Sequence, residues 1–208
     1  MYSSKPSVIY GFHGIDKNAA FKILTGEDEF HHSDNAYDWL GSGIYFWENN
    51  LERAKQYAEE DSKRETTKIE TPFVLGAVIE LGNCLDLLDQ RNNDFLRKSY
   101  VAFIEMLEAE GLPIPENKRL GKNDFDFKGR ELDGAVIRFA CQLAKDAGQP
   151  FDSVRAAFME GDPLYDGTKF LSGNHIQIAI SNPNCIKGIF LPRETVDFPD
   201  YEVVYSTK

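Results

Sequence analysis

The chain has 208 residues, 42% hydrophobic and 12% aromatic, which suits one globular domain and leaves no apolar run near the ~20 residues of a membrane helix. A net charge of −11 works against long-range attraction to nucleic acid without forbidding it. Three widely spaced cysteines, Cys84, Cys141 and Cys185, suggest neither a disulfide framework nor a cysteine-rich zinc site. With an N-terminus that lacks a long apolar segment, this cysteine usage predicts a cytoplasmic protein.

In chain order, "SVIYGFHGI" (7–15) reads as a strand. "KNAAFKILTGE" has apolar residues at helical spacing and a glycine stop at Gly26. "DEFHHSDNAYDW" is turn-rich and predicts a loop; its adjacent His31 and His32, with Asp34, have no third ligand at metal-binding spacing. "GIYFW" is a short strand, followed by the helix "NLERAKQYAEEDSKR", capped by Asn49 or Asn50. "PFVLGAVIEL" (72–81) is a buried strand. Residues 86–165 read as a helical block. "DFLRKSYVAFIEMLEAEGL" and "ELDGAVIRFACQLAKDAG" have helical periodicity with stops at Gly111 and Gly148, and "DSVRAAFMEG" is a third, short helix. "NHIQIAISN" and "IKGIFLP" are strands, with "YEVVYS" as a last one. Strands, a helical block and strands again predict one α+β domain.

Several side chains stand out, each with two readings. His13 is either a satisfied, partly buried histidine or a site residue. Tyr45 inside "GIYFW" and Tyr57 on the next helix either fill the core or stack on a flat ligand. Alternation in "HIQIAI" puts His175, Gln177 and Ala179 on one face and three isoleucines on the other, which should be core. Glu160 and Arg155, just before that strand, are surface charges or site groups; Glu202 is a further carboxylate, and Asp133 fits a helix start. The basic groups Lys63, Arg64 and Lys68, then Arg97 and Lys98, then Lys118, Arg119 and Lys122 read as solvated surface.

"LGSGIYFWENNLERAKQYA" resembles the nicotinamide-pocket segment of poly(ADP-ribose) polymerase-type ADP-ribosyltransferases. "YGFHGI" is similar to their first motif, "VLGAVIELGNCLDL" to the next core strand, and "HIQIAISNPNCIKGIFLP" to their late strand pair. The likeness covers about half of the chain. It implies a split β-sheet core with an inserted helical block, NAD+ as substrate and no metal. The family signature is His–Tyr–Glu on three strands; His13 and Tyr45 match the first two positions, and Gln177 stands at the glutamate's. The resemblance implies that His13 bonds the adenosine ribose, that the Gly14 backbone grips the carboxamide, and that Tyr45 and Tyr57 stack on the nicotinamide. Arg155 would meet the pyrophosphate and Glu160 the acceptor. An amide at 177 has no useful basicity. Expected, then, is transfer of a single ADP-ribose to a macromolecule, either protein or RNA/DNA. Microbial relatives of this kind resemble toxins and phage-defence effectors, which implies an antitoxin or immunity protein as partner. The alternatives are a catalytically silent module that binds NAD+ or ADP-ribose, and an RNA 2′-phosphotransferase-like enzyme, for which Arg53, Arg155 and Arg193 are the arginines near the motifs.

Overall fold

The computed structural model describes residues 8–35, 38–119, 127 and 129–193. Among them, four helices accompany a seven-stranded mixed sheet and a two-stranded ribbon, an α+β arrangement. In chain order the elements are β1 (Ile9–Asp16), α1 (Lys17–Thr25), β2 (Ile44–Glu48), α2 (Leu51–Asp61), β3 (Pro72–Ile79) and β4 (Cys84–Asp86). Then come α3 (Gln90–Glu110), β5 (Asn117–Lys118), β6 (Gly129–Arg130), α4 (Glu131–Asp146), β7 (Ser153–Phe158), β8 (His175–Ile180) and β9 (Ile186–Phe190). The strand order is β4-β7-β8-β2-β1-β3-β9, antiparallel throughout except for the parallel pair β4–β7.

The helix boundaries follow local chemistry. Asp16 caps α1 by accepting from Asn18 N, and Gly26 closes it at φ 75°. Asn50, the second of the two candidate caps, accepts from Arg53 N to start α2. Gly111 ends α3 in the left-handed region, as its position predicts. α4 has no side-chain cap of its own. Asn117 Oδ1 accepts from Leu132 N at 3.0 Å and Asp133 N at 3.2 Å instead, and Asp133 bonds Asn117 and Arg130, a helix-start role.

One expected helix is not formed. "DSVRAAF" is not a helix but strand β7, between β4 and β8. Its apolar residues fit both periods: 154, 157 and 158 for a helix, 154, 156 and 158 for a strand. The buried set is Val154, Ala156 and Phe158, so the sheet period wins. The helical block thus consists of α3 and α4, not 86–165, and β7 belongs to the central sheet. "YEVVYS" with Glu202, and Lys122, lie outside the described residues.

Register divides the sheet into two faces. The front carries Tyr45, Trp47, Gln177, Ala179, Val154, Ala156 and Phe158; the back carries His13, Phe46, Leu75 and Ile178. α2 packs on the front against Trp47 and Val74, and α4 packs there through Ile137 against Leu40, Val154 and Ala179. α1 covers Leu75 on the back, next to a cluster of Ile44, Phe46, Ile79, Ile178 and Ile180. Both faces of β8 are therefore packed, where alternation alone predicted one.

Candidate functional site: the parting of β1 and β2

The three positions of the His–Tyr–Glu pattern fall on neighbouring strands: Gln177 on β8, Tyr45 on β2 and His13 on β1. β1 pairs with β3 along all eight residues but with β2 only at Gly11–Glu48 and Phe12–Trp47. Beyond Phe12 the two strands part. His13 bridges the opening, its Nδ1 2.7 Å from the Tyr45 carbonyl oxygen and its ring against Phe30 and Phe46.

That contact fixes the tautomer. A carbonyl only accepts, so Nδ1 carries the proton and donates it. Burial lowers the His13 pKa, opposed by the bond to Tyr45, so the ring is neutral near pH 7. A neutral ring protonated at Nδ1 presents Nε2 as an acceptor, the group needed to receive a hydroxyl hydrogen.

Tyr45 is tied down at its far end. Its hydroxyl donates to Gly41 O at 2.6 Å and accepts from Leu40 N at 3.0 Å. Burial, reinforced by the charge of Asp38, pushes its pKa well up, so it stays a phenol. Its ring packs with the cluster around Leu40, Ile137 and Ala179. Tyr57 belongs to a different cluster and tilts against Trp47, centroids 4.9 Å apart. The two tyrosines thus stand in separate packing groups on the front face, and His13 points to the back. Gly14 is required small for another reason than the one its motif implies: a Cβ there would lie 2.5 Å from Ala54 O, so its bareness lets α2 rest on β1.

Gln177 is half-buried on the front face between Trp47 on β2 and Ala156 on β7. Its amide makes no hydrogen bond to another described residue. Farther along this face, Glu160 is 8% exposed and no surface charge. Its carboxylate accepts from Arg53 Nη2 at 2.9 Å and lies 3.7 Å from His175 Nδ1, which itself is 2.7 Å from Gly173 O. The Arg53 guanidinium sits 5.8 Å from the Trp47 ring centroid. Trp47 Nε1 and Arg53 Nη1 are buried donors without a hydrogen-bond partner among the described residues.

Arg155 points to the back and does not join this group. Glu48 holds it at 2.5 and 2.8 Å, and Asp86 at 3.2 Å. These bonds, that to Glu48 foremost, raise its pKa and close its guanidinium. Of the two readings for Arg155, surface charge or pyrophosphate contact, neither describes its surroundings here: it sits at the centre of an ion network with Glu48 and Asp86. Trp47 and His175 were not marked as site residues in the sequence, and Arg53 only for the phosphotransferase alternative; the signal for Arg53 and Tyr57 together is their i, i+4 spacing on α2.

Among the described residues, no group of three or more His, Cys, Asp or Glu is arranged to hold a metal ion, and no helix is long and apolar enough to cross a membrane. No family model, no curated protein and no solved structure matches this chain.

Proposed function

We propose that the protein is a mono-ADP-ribosyltransferase that moves one ADP-ribose from NAD+ to a macromolecular acceptor. The observation that carries this reading is the contiguity of β8, β2 and β1, with His13 as a neutral acceptor at the point where β1 and β2 part. In the reaction the ribose C1′–nicotinamide bond breaks, and nicotinamide leaves with the electron pair. The acceptor's oxygen or nitrogen then bonds C1′ and gives up its proton. Positive charge develops on the ribose, so groups that bond its hydroxyls act most strongly in the transition state. The resemblance assigns His13 Nε2 to the adenosine ribose, and the Gln177 amide can bond the nicotinamide ribose; the two project to opposite faces of the sheet, so one NAD+ meets both by passing through the parting of β1 and β2. Arg53, on the same face as Gln177, is the cation proposed for phosphate, exchanging its ion pairs with Glu160 and Glu60 for the ligand.

The acceptor is a protein side chain or a nucleic-acid base, and a toxin or phage-defence role with a neutralising partner accords with the sequence resemblance. A specific observation favours a second reading, a silent module that binds NAD+. Position 177 lacks a carboxylate, and the nearby Glu160 is already paired with Arg53. The RNA 2′-phosphotransferase-like enzyme is the other alternative; two of its three arginines, Arg53 and Arg155, pair with carboxylates here.

The test is incubation with NAD+ labelled in the adenylate and a cell lysate, followed by separation into protein and nucleic-acid fractions. Label should enter one fraction in step with nicotinamide release. Calorimetric binding of NAD+ without turnover would select the silent module. No binding at millimolar NAD+ by folded protein would end both readings.

A further inference from the structure

The outer edge of β7 is open over part of its length. β4 pairs with β7 only from Ser153 to Arg155, and Leu87 N then bonds Arg155 O at 2.8 Å. Glu160 O, five residues on, accepts from Gly173 N on the β8 side. Strand alternation between these two anchors turns the N–H and C=O of Ala157 away from β8. No described residue pairs with them, and Ala157 itself is exposed.

This donor–acceptor pair borders a cavity of about 580 Å³ between β7 and the α3–α4 hairpin. Asn93, Leu96, Arg97 and Tyr100, spaced i, i+3, i+4 and i+7, form its α3 wall. Val136 lines it from α4 and Trp39 from the loop before β2. Arg130 stacks over Trp39 and Phe158, at 4.9 and 5.0 Å from their centroids. The walls are thus largely apolar with three aromatic rings, Trp39, Tyr100 and Phe158, and the polar groups are few. One of those is a single residue's backbone donor and acceptor side by side.

We propose that this cavity is a nucleobase-binding site. Every base combines a flat apolar ring with an adjacent donor and acceptor on its edge, the complement of the Ala157 pair. Stacking on aromatic side chains supplies affinity with little regard to sequence. Arg97, exposed on α3 and paired with the exposed Asp94 at 2.6 Å, can turn to the attached phosphate by giving up that solvated pair. The base comes from a free nucleotide or from a polynucleotide. The pocket does not depend on the transferase reading.

The experiment is calorimetric titration with AMP, GMP, CMP and UMP and with a short single-stranded oligoribonucleotide, on wild type, Tyr100→Ser and Ala157→Pro. Tyr100 is exposed, and a proline whose missing N–H faces off an open edge is tolerated, so both variants should fold. At least one mononucleotide should bind, and each variant should weaken it by about tenfold or more. An oligonucleotide that binds more tightly than the mononucleotides identifies a polynucleotide as the source; equal affinities identify a free nucleotide. Absence of binding at millimolar concentration, or binding unchanged in both variants, overturns the proposal. So does binding of an extended peptide that survives Tyr100→Ser and vanishes in Ala157→Pro, since that marks strand addition to β7. Nicotinamide release from NAD+, measured alongside, separates the two readings: wild type that binds mononucleotides but never releases nicotinamide refutes the transferase and keeps the pocket.

Discussion

His13 has to be neutral to do what its position allows, because Nδ1–H donates to the Tyr45 carbonyl and Nε2 must then accept. Its pKa lies below 6.5 in the folded chain, so as pH falls the unfolded chain binds the proton first. The stability that comes from the neutral ring is complete above 6.5 and declines from there down to the folded pKa. His13→Asn keeps a donor and removes the titration. Its melting temperature should fall less steeply than wild type's from about pH 7 to about pH 5, and equal slopes would deny the buried neutral ring. Gln177 carries the sharper catalytic test. Gln177→Ala should slow transfer by ~10²-fold or more, as when one donor aimed at a transition state is removed, with NAD+ affinity changed far less. Gln177→Glu should preserve or raise NAD+ hydrolysis, and full activity in Gln177→Ala would reduce Gln177 to a strand's polar face. The motif residues were legible in the sequence as strand residues. Their orientation was not, because the pleat that turns His13 to the back and Tyr45 to the front depends on the β1–β2 register, which local patterns do not contain.

Elements were legible wherever length and caps agreed with period. β1, α1, β2, α2, β3 and α3 all stand close to where the pattern predicts, with Asn50, Gly26 and Gly111 at their ends. β7 was misread because Val154, Ala157 and Phe158 also satisfy helical spacing, and only its pairing partners decide. The same pairing explains Arg155. On a helix end it would reach solvent; on β7 it lies opposite Asp86 and reaches across to Glu48. Replacing it with methionine leaves two carboxylates facing each other with little water. Arg155→Met should therefore cost ~3–5 kcal/mol in urea unfolding. Adding Glu48→Gln should restore part of that loss. A cost near zero would mean the network is solvated, and the arginine free for an anion after all. At the start of α1, Asp16 accepts from Asn18 N and from Glu70 N and Thr71 N, joining the helix to the turn before β3. Asp16→Ala should cost ~1–2 kcal/mol, read from the same unfolding curves. The bond to Thr71 leads in lowering its pKa, so this contribution is present above pH 3.8 and fades as pH falls through the depressed value.

At the scale of the molecule, the question is whether the α3–α4 hairpin is an appendage or part of the fold. Its sequence reads as an insertion, since residues 86–165 lie outside every segment that resembles the ADP-ribosyltransferases. The topology gives a different answer. β4 and β7 are adjacent and parallel, and parallel neighbours need a crossover connection of a dozen or more residues. The hairpin is that crossover. It also roofs part of the front face, where Leu85 and Val154 are 0% and 1% exposed and Ile137 of α4 packs against them. Uncovering such side chains costs ~1.5–3 kcal/mol each, so losing several rivals the ~5–15 kcal/mol of a whole domain. A chain in which a short Gly/Ser linker replaces residues 88–150 should therefore fail to fold cooperatively. The measurements are the urea transition and the near-ultraviolet circular dichroism of its buried aromatics. An independent insertion would behave otherwise: its removal would leave a sharp transition and intact NAD+ binding. If the shortened chain folds and binds NAD+, the hairpin is dispensable and β4 must have left its place beside β7. If it fails while Tyr100→Ser folds normally, the hairpin serves two ends, with Ile137 of α4 completing the core and the α3 side that faces β7 walling the cavity.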